Sequence, residues 1–255
     1  MPLFRFLLHL APRSRFASSV DVVLCYHAIG YSDWAFSVAP AEFASQINFL
    51  SRHFTIVSLS DLSSRPNHTS RPRVAITFDD GYQSVYRYAR PLFARLGLSA
   101  TVFALENPIG TSTFPRLPLL RIAQMQALTK SGWAIGYHTS THPDLTKVNP
   151  SRLHAEIVTG KTRLESQLGS RLRFMAFPFG QYNKSVIAIA QQHFVRLLTA
   201  NGGPASSTSH PRLIDRVTIS RHLTTDDFAS LLTPIGLTLN RVFTFIWRIW
   251  DTFSL

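Results

Sequence analysis

Short apolar runs and amphipathic segments alternate along most of the chain. Runs rich in apolar and β-branched residues predict strands at 20–26, 55–59, 73–77, 100–104, 133–137, 174–177, 194–198 and 216–219. Segments with apolar residues on one helical face predict helices at 40–53, 84–96, 119–130, 150–168, 185–193 and 226–232. Strand and helix alternate about seven times, which predicts a parallel α/β barrel.

The segment 235–253 has a different pattern. Its few polar residues share one helical face, and apolar residues cover the rest of the helix surface. Such a helix either packs onto the barrel or lies in the plane of a membrane, with its tryptophans at the depth of the headgroups. No stretch approaches the roughly 18 consecutive apolar residues that a membrane-spanning helix needs. The polar positions are Arg241, Thr244, Arg248 and Asp251.

An acidic turn follows the predicted strand at 73–77. The sequence Thr77-Phe78-Asp79-Asp80-Gly81-Tyr82 places two adjacent carboxylates at the end of a buried strand, where their desolvation is costly unless they have a function. Gly81 allows the backbone to turn sharply after them. A strand, a polar turn and a helix in this order are how α/β barrels present catalytic groups.

A pair of histidines follows the predicted strand at 133–137. His138 and His142 are four residues apart, so both can bind one ion from a helical turn or a compact loop. The chain has ten histidines, so this pair alone is weak support for a metal site. Together with one carboxylate of the acidic turn, it matches the His, His, Asp composition of hydrolytic metal sites.

His27 ends the first apolar run. A polar residue that simply caps a strand is one interpretation, but the carboxyl ends of barrel strands are where catalytic residues collect, which favours a functional role. Cys25, the single cysteine, excludes an intrachain disulfide and lies within the same run, so we expect a buried thiol.

The charge indicates an anionic neighbour. The chain of 255 residues has a net charge of +12, and its 45% apolar residues suffice for a sizeable core. No nucleic-acid-binding signature accompanies the charge, so a membrane surface or an acidic glycan is favoured over nucleic acid. Residues 1–19 carry Arg5 and His9 inside their apolar run, which makes a poor signal peptide and a basic amphipathic anchor. The sequence therefore predicts peripheral membrane association without fixing the side.

These motifs together resemble the polysaccharide deacetylase family, the NodB-homology group of carbohydrate esterase family 4. The resemblance rests on Thr77–Gly81, on His138–His142, and on Ala176-Phe177-Pro178-Phe179-Gly180, and it covers about residues 20–232. It implies a distorted (β/α)7 barrel at 20–232. Residues 1–19 would then form the N-terminal segment, and 233–255 a C-terminal amphipathic helix.

The resemblance also implies roles for individual residues. Asp80, His138 and His142 would hold a divalent ion, most simply Zn²⁺, with Co²⁺, Ni²⁺ or Fe²⁺ as alternatives. Asp79 would be the general base. The backbone N–H of Phe179 would stabilise the oxyanion, with Pro178 and Tyr82 beside the substrate. His27 would be the catalytic acid, as in the circularly permuted branch of the family, and His222 is the alternative acid.

Two positions depart from the family pattern. Ala176 stands where the family has an arginine that orients the base, so Asp79 must be oriented in another way or be a weaker base. The late motif reads Ser220-Arg221-His222 and lacks the family's leucine. Both departures fit the permuted branch, and neither touches the metal set.

The expected function is metal-dependent removal of N-acetyl groups from amino-sugar units of a poly- or oligosaccharide. One alternative is deacylation of a lipid-linked sugar at a membrane surface, and a second is a non-catalytic carbohydrate-binding protein. A glycoside hydrolase is disfavoured because two adjacent carboxylates at one strand end cannot flank a glycosidic bond.

Overall fold

The computed structural model describes residues 20–62, 70–107, 117–205 and 210–253, with side chains up to 246. The predicted N-terminal anchor at 1–19 lies outside the described residues, as does most of the loop around Phe114. In the described part, no single helix is long and apolar enough to span a bilayer. The helices at 225–231 and 234–246, bent by 91°, together have the length and composition of a broken span.

Parallel strands form the central sheet. The strand order is β10-β9-β8-β7-β6-β5-β1-β11, with β4 paired to β5, and β2 and β3 form a separate two-stranded parallel ribbon. The strands are β1 Val22–Tyr26, β2 Ala28–Ile29, β3 Ser37–Val38, β4 Thr55–Ile56, β5 Arg73–Phe78, β6 Thr101–Ala104, β7 Ala134–Tyr137, β8 Phe174–Ala176, β9 Arg196–Leu198, β10 Leu213–Ile214 and β11 Val217–Thr218.

One chain segment joins the two edges of this sheet. β10 pairs with β9 at one edge, and β11 pairs with β1 at the other, yet only Asp215 and Arg216 separate the two strands in the chain. We call residues 213–218 the seam. The curled parallel sheet with its helices confirms the predicted distorted barrel.

Helices follow most strands. Asn149 and Asn183 cap two of them by accepting hydrogen bonds from backbone N–H groups of the first turn. The helices are α1 Pro40–His53, α2 Leu59–Leu62, α3 Arg90–Leu96, α4 Ile122–Lys130, α5 Pro150–His154, α6 Gly160–Leu168, α7 Lys184–His193, α8 Thr225–Leu231 and α9 Pro234–Phe253, with π-helical turns at Val85–Ala89 and Ala155–Thr159 and a 3₁₀ turn at Pro178–Gly180.

Side chains alternate between the two faces of the sheet, which decides what reaches the site. Even-numbered residues of β1, such as Tyr26, pack against the helices. Odd-numbered residues face the barrel interior, where Val23 and Ala75 pack with Phe103. The same alternation directs the next odd-numbered residues inward, and these are Cys25, His27, Thr77 and Asp79.

Four short elements are absent from the sequence-based prediction. β2, β3 and β10 have two residues each and α2 has four, which is too short for a periodic pattern. The predicted C-terminal helix is present as α9. It packs closely on α8 at Gly236, where a Cβ would lie 2.1 Å from the carbonyl oxygen of Ser230.

Candidate active site

The acidic turn is built by left-handed backbone at the end of β5. Asp80 has φ +67° and Gly81 has φ +72°, so the chain reverses at once after the strand. The turn sends Asp79 toward the seam and Asp80 toward the loop after β7, and both carboxylates are buried.

Three potential ligand atoms form a nearly equilateral triangle. Asp80 Oδ1 lies 3.3 Å from His138 Nε2 and 3.4 Å from His142 Nε2, and the two nitrogens are 3.2 Å apart. A tetrahedral ion with bonds of about 2.0–2.1 Å separates its ligand atoms by about 3.3–3.4 Å. An octahedral ion with similar bonds would bring neighbouring ligands to about 2.8–3.0 Å. The triangle therefore has the spacing of three ligands around a tetrahedral divalent ion.

A hydrogen bond prepares His138 as a ligand, and burial prepares His142. His138 Nδ1 lies 2.9 Å from the carbonyl oxygen of Ala176, so it carries the proton and leaves Nε2 directed at the triangle. Burial, reinforced by His138, lowers the pKa of His142 to about 3, which keeps that imidazole neutral. Asp80 Oδ1 makes no hydrogen bond within the described residues, as expected of a buried oxygen that awaits an ion.

We call residues 138–142 the histidine loop. Two carboxylates hold it, one from the π-helical turn Ala155–Thr159 and one from the loop after β6. Glu156 is buried and accepts hydrogen bonds from the backbone N–H groups of Ser140 and Thr141, at 3.0 and 2.9 Å. Glu106 accepts from the Ser140 hydroxyl and is itself held by Arg163. These contacts fix the loop backbone that carries both ligands.

Backbone strain is concentrated at this site. Among the described residues, the four non-glycine residues with positive φ all belong to it. Each such conformation costs about 1–3 kcal/mol and persists only where the surroundings enforce it. They are Asp80, Thr139, His142 and Phe179.

Asp79 is held by an arginine of the seam. Arg216 donates to both carboxylate oxygens of Asp79, each at 2.7 Å, and both side chains are buried. Arg216 also donates to the carbonyl oxygen of Thr199 at 2.9 Å and stacks over Phe103. Burial alone would raise the pKa of Asp79, but the Arg216 guanidinium, together with His138 and His27, holds that pKa well below its usual range. The Asp79 carboxylate is therefore ionised and fixed in direction.

His27 faces the two carboxylates from within an aromatic frame. Its ring stacks on Phe36, with centroids 4.9 Å apart, and meets Trp34 edge-on at 5.5 Å. Its Nδ1 has no hydrogen-bond partner among the described residues. Burial lowers the pKa of His27, while Asp80 and then Asp79 act in the opposite direction.

The remaining predicted residues are placed differently from one another. Phe179 is 54% exposed, and its ring lies 4.6 Å from the His142 ring at the mouth of the site, next to buried Pro178. Tyr82 is only 1% exposed and packs under Trp34, so it supports the wall of the site. His222 is exposed after β11, whereas His27 is in the frame beside the carboxylates. The choice of His27 as the acid stays a prediction.

Two residues that shape the site are absent from the sequence-based prediction. With Ala176 in place of the family's arginine, another residue must orient Asp79, and that residue is Arg216 of the seam. The available signal was a charged pair, Asp215-Arg216, inside an otherwise apolar strand segment. Glu156 gave no signal, because a glutamate in a helix is usually exposed.

Comparisons with known proteins agree with this architecture. A family model described as polysaccharide deacetylase matches residues 67–198, just over half of the chain. YxkH of Bacillus subtilis is 25% identical over 215 residues, which are 82% of this chain and 75% of that protein. The poly-β-1,6-N-acetyl-D-glucosamine N-deacetylase of Staphylococcus epidermidis is 27% identical over 173 residues, which are 63% of this chain and 60% of the enzyme.

A solved structure shares the fold. The Streptococcus pyogenes deacetylase PplD, in complex with acetate, superposes with a TM-score of 0.74 and 23% identity, over 86% of this chain and 100% of that one. The chain thus spans the whole of the solved PplD chain but only part of the staphylococcal enzyme.

Proposed function

The chain belongs to the polysaccharide deacetylase family, and we propose that it is a metal-dependent hydrolase that removes N-acetyl groups from amino-sugar units of a polysaccharide. The observation that carries the proposal is the triangle of Asp80, His138 and His142 directly beside an oriented carboxylate, Asp79. A non-catalytic carbohydrate-binding protein would have no need for four buried polar side chains in this arrangement.

The metal ligands in this proposal are Asp80, His138 and His142. A divalent ion held there supplies Lewis-acid polarisation of the acyl oxygen and lowers the pKa of a water molecule. Asp79 accepts a proton from the attacking water. Arg216 keeps that carboxylate ionised and prevents it from turning toward the triangle as a further ligand.

Two groups complete the proposed reaction. The backbone N–H of Phe179 donates to the acyl oxygen as negative charge develops there, which is worth several kcal/mol where such donors have been removed from other enzymes. His27 donates a proton to the departing amine, and its aromatic frame holds the imidazole facing the reacting atoms.

Acetate release tests the proposed activity. The metal-loaded protein is incubated with short N-acetylglucosamine oligomers, next to Asp79→Asn and to wild type stripped by a chelator. We expect release by the loaded wild type, loss in both comparisons, and recovery when Zn²⁺ is returned to the stripped protein. Equal release by wild type and Asp79→Asn would overturn the assignment of the base.

We also propose that the C-terminal helix α9 contacts a membrane surface. Half of the eight large hydrophobic residues that are exposed in the described part lie on one face of α9, next to exposed Arg241. An apolar face with a flanking cation matches a helix that lies in the interface of an anionic bilayer. The four residues are Ile235, Val242, Phe245 and Ile246, which are 48%, 48%, 65% and 46% exposed.

Vesicle sedimentation tests this contact. We expect the wild type to sediment with vesicles containing anionic phospholipid and the triple variant Val242→Ser, Phe245→Ser, Ile246→Ser to stay in solution. The matched control removes two exposed apolar side chains elsewhere, Leu96→Ser with Val195→Ser, and should sediment as wild type does. Undiminished sedimentation of the triple variant would contradict the contact. Stimulation of activity by vesicles would favour a lipid-linked substrate.

A further inference from the structure

A groove of about 630 Å³ opens beside the site, next to the acidic turn. Its walls come from the β2–β3 ribbon with its connecting loop, from the loops after β5 and β6, and from the π-helical turn Val85–Ala89. Its volume is in the range of pockets that bind small organic ligands. None of the three triangle residues lines it, so it is a separate surface. The lining residues that matter here are Tyr31, Gln83, Tyr86, Arg87, Tyr88 and Arg90.

Within the described part of the chain, all charged residues that line this groove are cationic. Arg87 and Arg90 are its two charged residues, and neither has a carboxylate within 4.0 Å among the described residues. Each guanidinium instead stacks on a tyrosine, Arg87 on Tyr88 at 5.2 Å and Arg90 on Tyr86 at 4.8 Å. Stacking fixes the planes of the guanidinium groups while leaving their N–H donors available for a carboxylate or a phosphate.

The groove also offers apolar platforms. Tyr31 is 77% exposed at its edge, and Gln83 contributes an amide that can hydrogen-bond hydroxyl groups. Exposed aromatic faces, planar polar groups and unpaired cations form a surface suited to a sugar that carries negative charge.

The chain itself places the groove close to the reacting centre. Gln83 follows Asp80 by three residues, so their Cα atoms are at most about 11 Å apart. A polymer with one amino-sugar unit at the triangle would therefore lay neighbouring units along the groove, past the wall formed by Tyr82 and Trp34.

We propose that the basic groove binds anionic groups, carboxylate or phosphate, on the sugar units next to the one that is deacetylated, so that the substrate is an acidic glycan. This inference rests on the proposed function, which decides that one amino-sugar unit lies at the triangle and therefore that its neighbours lie in the groove. The net charge of +12 acts in the same direction, since it raises the local concentration of a polyanion.

Binding and turnover of matched oligomers test the proposal. Three N-acetylglucosamine oligomers of equal length are compared: unmodified, oxidised at C6 to carboxylates on some units, and phosphorylated at C6. Calorimetry with the full-length protein gives each Kd, and acetate release gives each kcat/KM. We expect at least one anionic oligomer to bind about tenfold or more tightly than the neutral one at low salt, with the gap shrinking as salt is added. The stronger of the two identifies the anion.

A double variant and its control locate the effect. Arg87→Gln with Arg90→Gln should bring anionic and neutral oligomers to the same Kd and leave kcat for the neutral oligomer unchanged. Arg95→Gln removes an exposed arginine from α3, outside the groove, and should keep the preference. Equal affinity for all oligomers in wild type, or a preference that survives in the double variant, overturns the proposal.

The two readouts separate this inference from the proposed function. Charge-dependent binding without acetate release from any oligomer would support the groove and refute the deacetylase. Acetate release with no preference for the anionic oligomers would support the deacetylase and refute the anion-binding groove.

Discussion

The seam and the histidine loop hold neighbouring carboxylates by opposite means. On the seam side, Arg216 occupies both oxygens of Asp79, and the pair is complete within the protein. On the loop side, Asp80 faces two imidazole nitrogens, and its Oδ1 has no hydrogen bond in the described part of the chain. One carboxylate is neutralised by the fold itself, whereas the other, in the proposed function, is neutralised by an ion from solution. The predictions below test this division, from the largest expected effect to the smallest.

Removing the seam arginine should have the largest effect. Arg216→Gln leaves a buried carboxylate without its cation, which costs about 3–5 kcal/mol in comparable pairs. Because burial is then opposed only by His138 and His27, the pKa of Asp79 rises, and the acid limb of the activity profile moves to higher pH. Urea unfolding and a pH profile of kcat/KM measure the two changes.

Arg221→Gln is the matched control for this experiment. Arg221 pairs with fully exposed Asp33 after the seam, so its loss should leave the free energy of unfolding and the pH profile almost unchanged. An Arg216→Gln variant as stable as this control would contradict the account of the seam.

Metal should stabilise the loop side only when the triangle is intact. With Zn²⁺ at about 100 times its Kd, wild type should gain about 2.7 kcal/mol in the free energy of unfolding, and His142→Ala should gain far less. His154→Ala, which removes an exposed histidine of α5, serves as the control and should respond as wild type does. An equal gain in His142→Ala would show that the stabilising ion binds elsewhere.

Loosening the histidine loop should weaken metal binding without removing a ligand. Glu156→Gln replaces the carboxylate that accepts two loop N–H groups, and residues in such supporting positions typically change metal affinity about 10–100-fold. Competition with a chromophoric chelator measures the change in Kd. Glu165→Gln removes a carboxylate that bonds Lys161 and the Leu172 N–H instead, and it should leave the metal Kd unaltered.

The smallest effect concerns the thiol behind Asp79. Cys25 Sγ lies 3.3 Å from Asp79 Oδ2, and burial raises the pKa of this thiol, so it remains a neutral donor. Cys25→Ala should cost about 1 kcal/mol in stability and change kcat/KM only a few-fold, because Arg216 still holds the carboxylate. If Cys25→Ala lost as much stability and kcat/KM as Arg216→Gln, then Cys25 of β1, and not the seam, would be the main residue that holds Asp79.

The loop side could be predicted from the sequence, and the seam side could not. His138, His142 and the acidic turn are local motifs, and each follows an apolar run that ends where barrel strands present polar groups. Arg216 reaches Asp79 only because β5 and β11 pair with opposite edges of β1, although 137 residues of chain separate the two side chains. No periodicity along the chain reports that pairing. The sequence shows only that Ala176 cannot orient Asp79, and the structure shows that Arg216 does so.

The seam has a consequence for the order in which this protein is made. Arg216 follows Asp79 by 137 residues. At about 5–20 residues per second, a ribosome needs on the order of 7–30 s to synthesise that interval. Until then the nascent β1–β5 pair carries a carboxylate that has no cation to bury with it. Asp79 therefore becomes one of the last parts of the barrel to be buried, and a chain released before its final strand would keep this end of the sheet open to water.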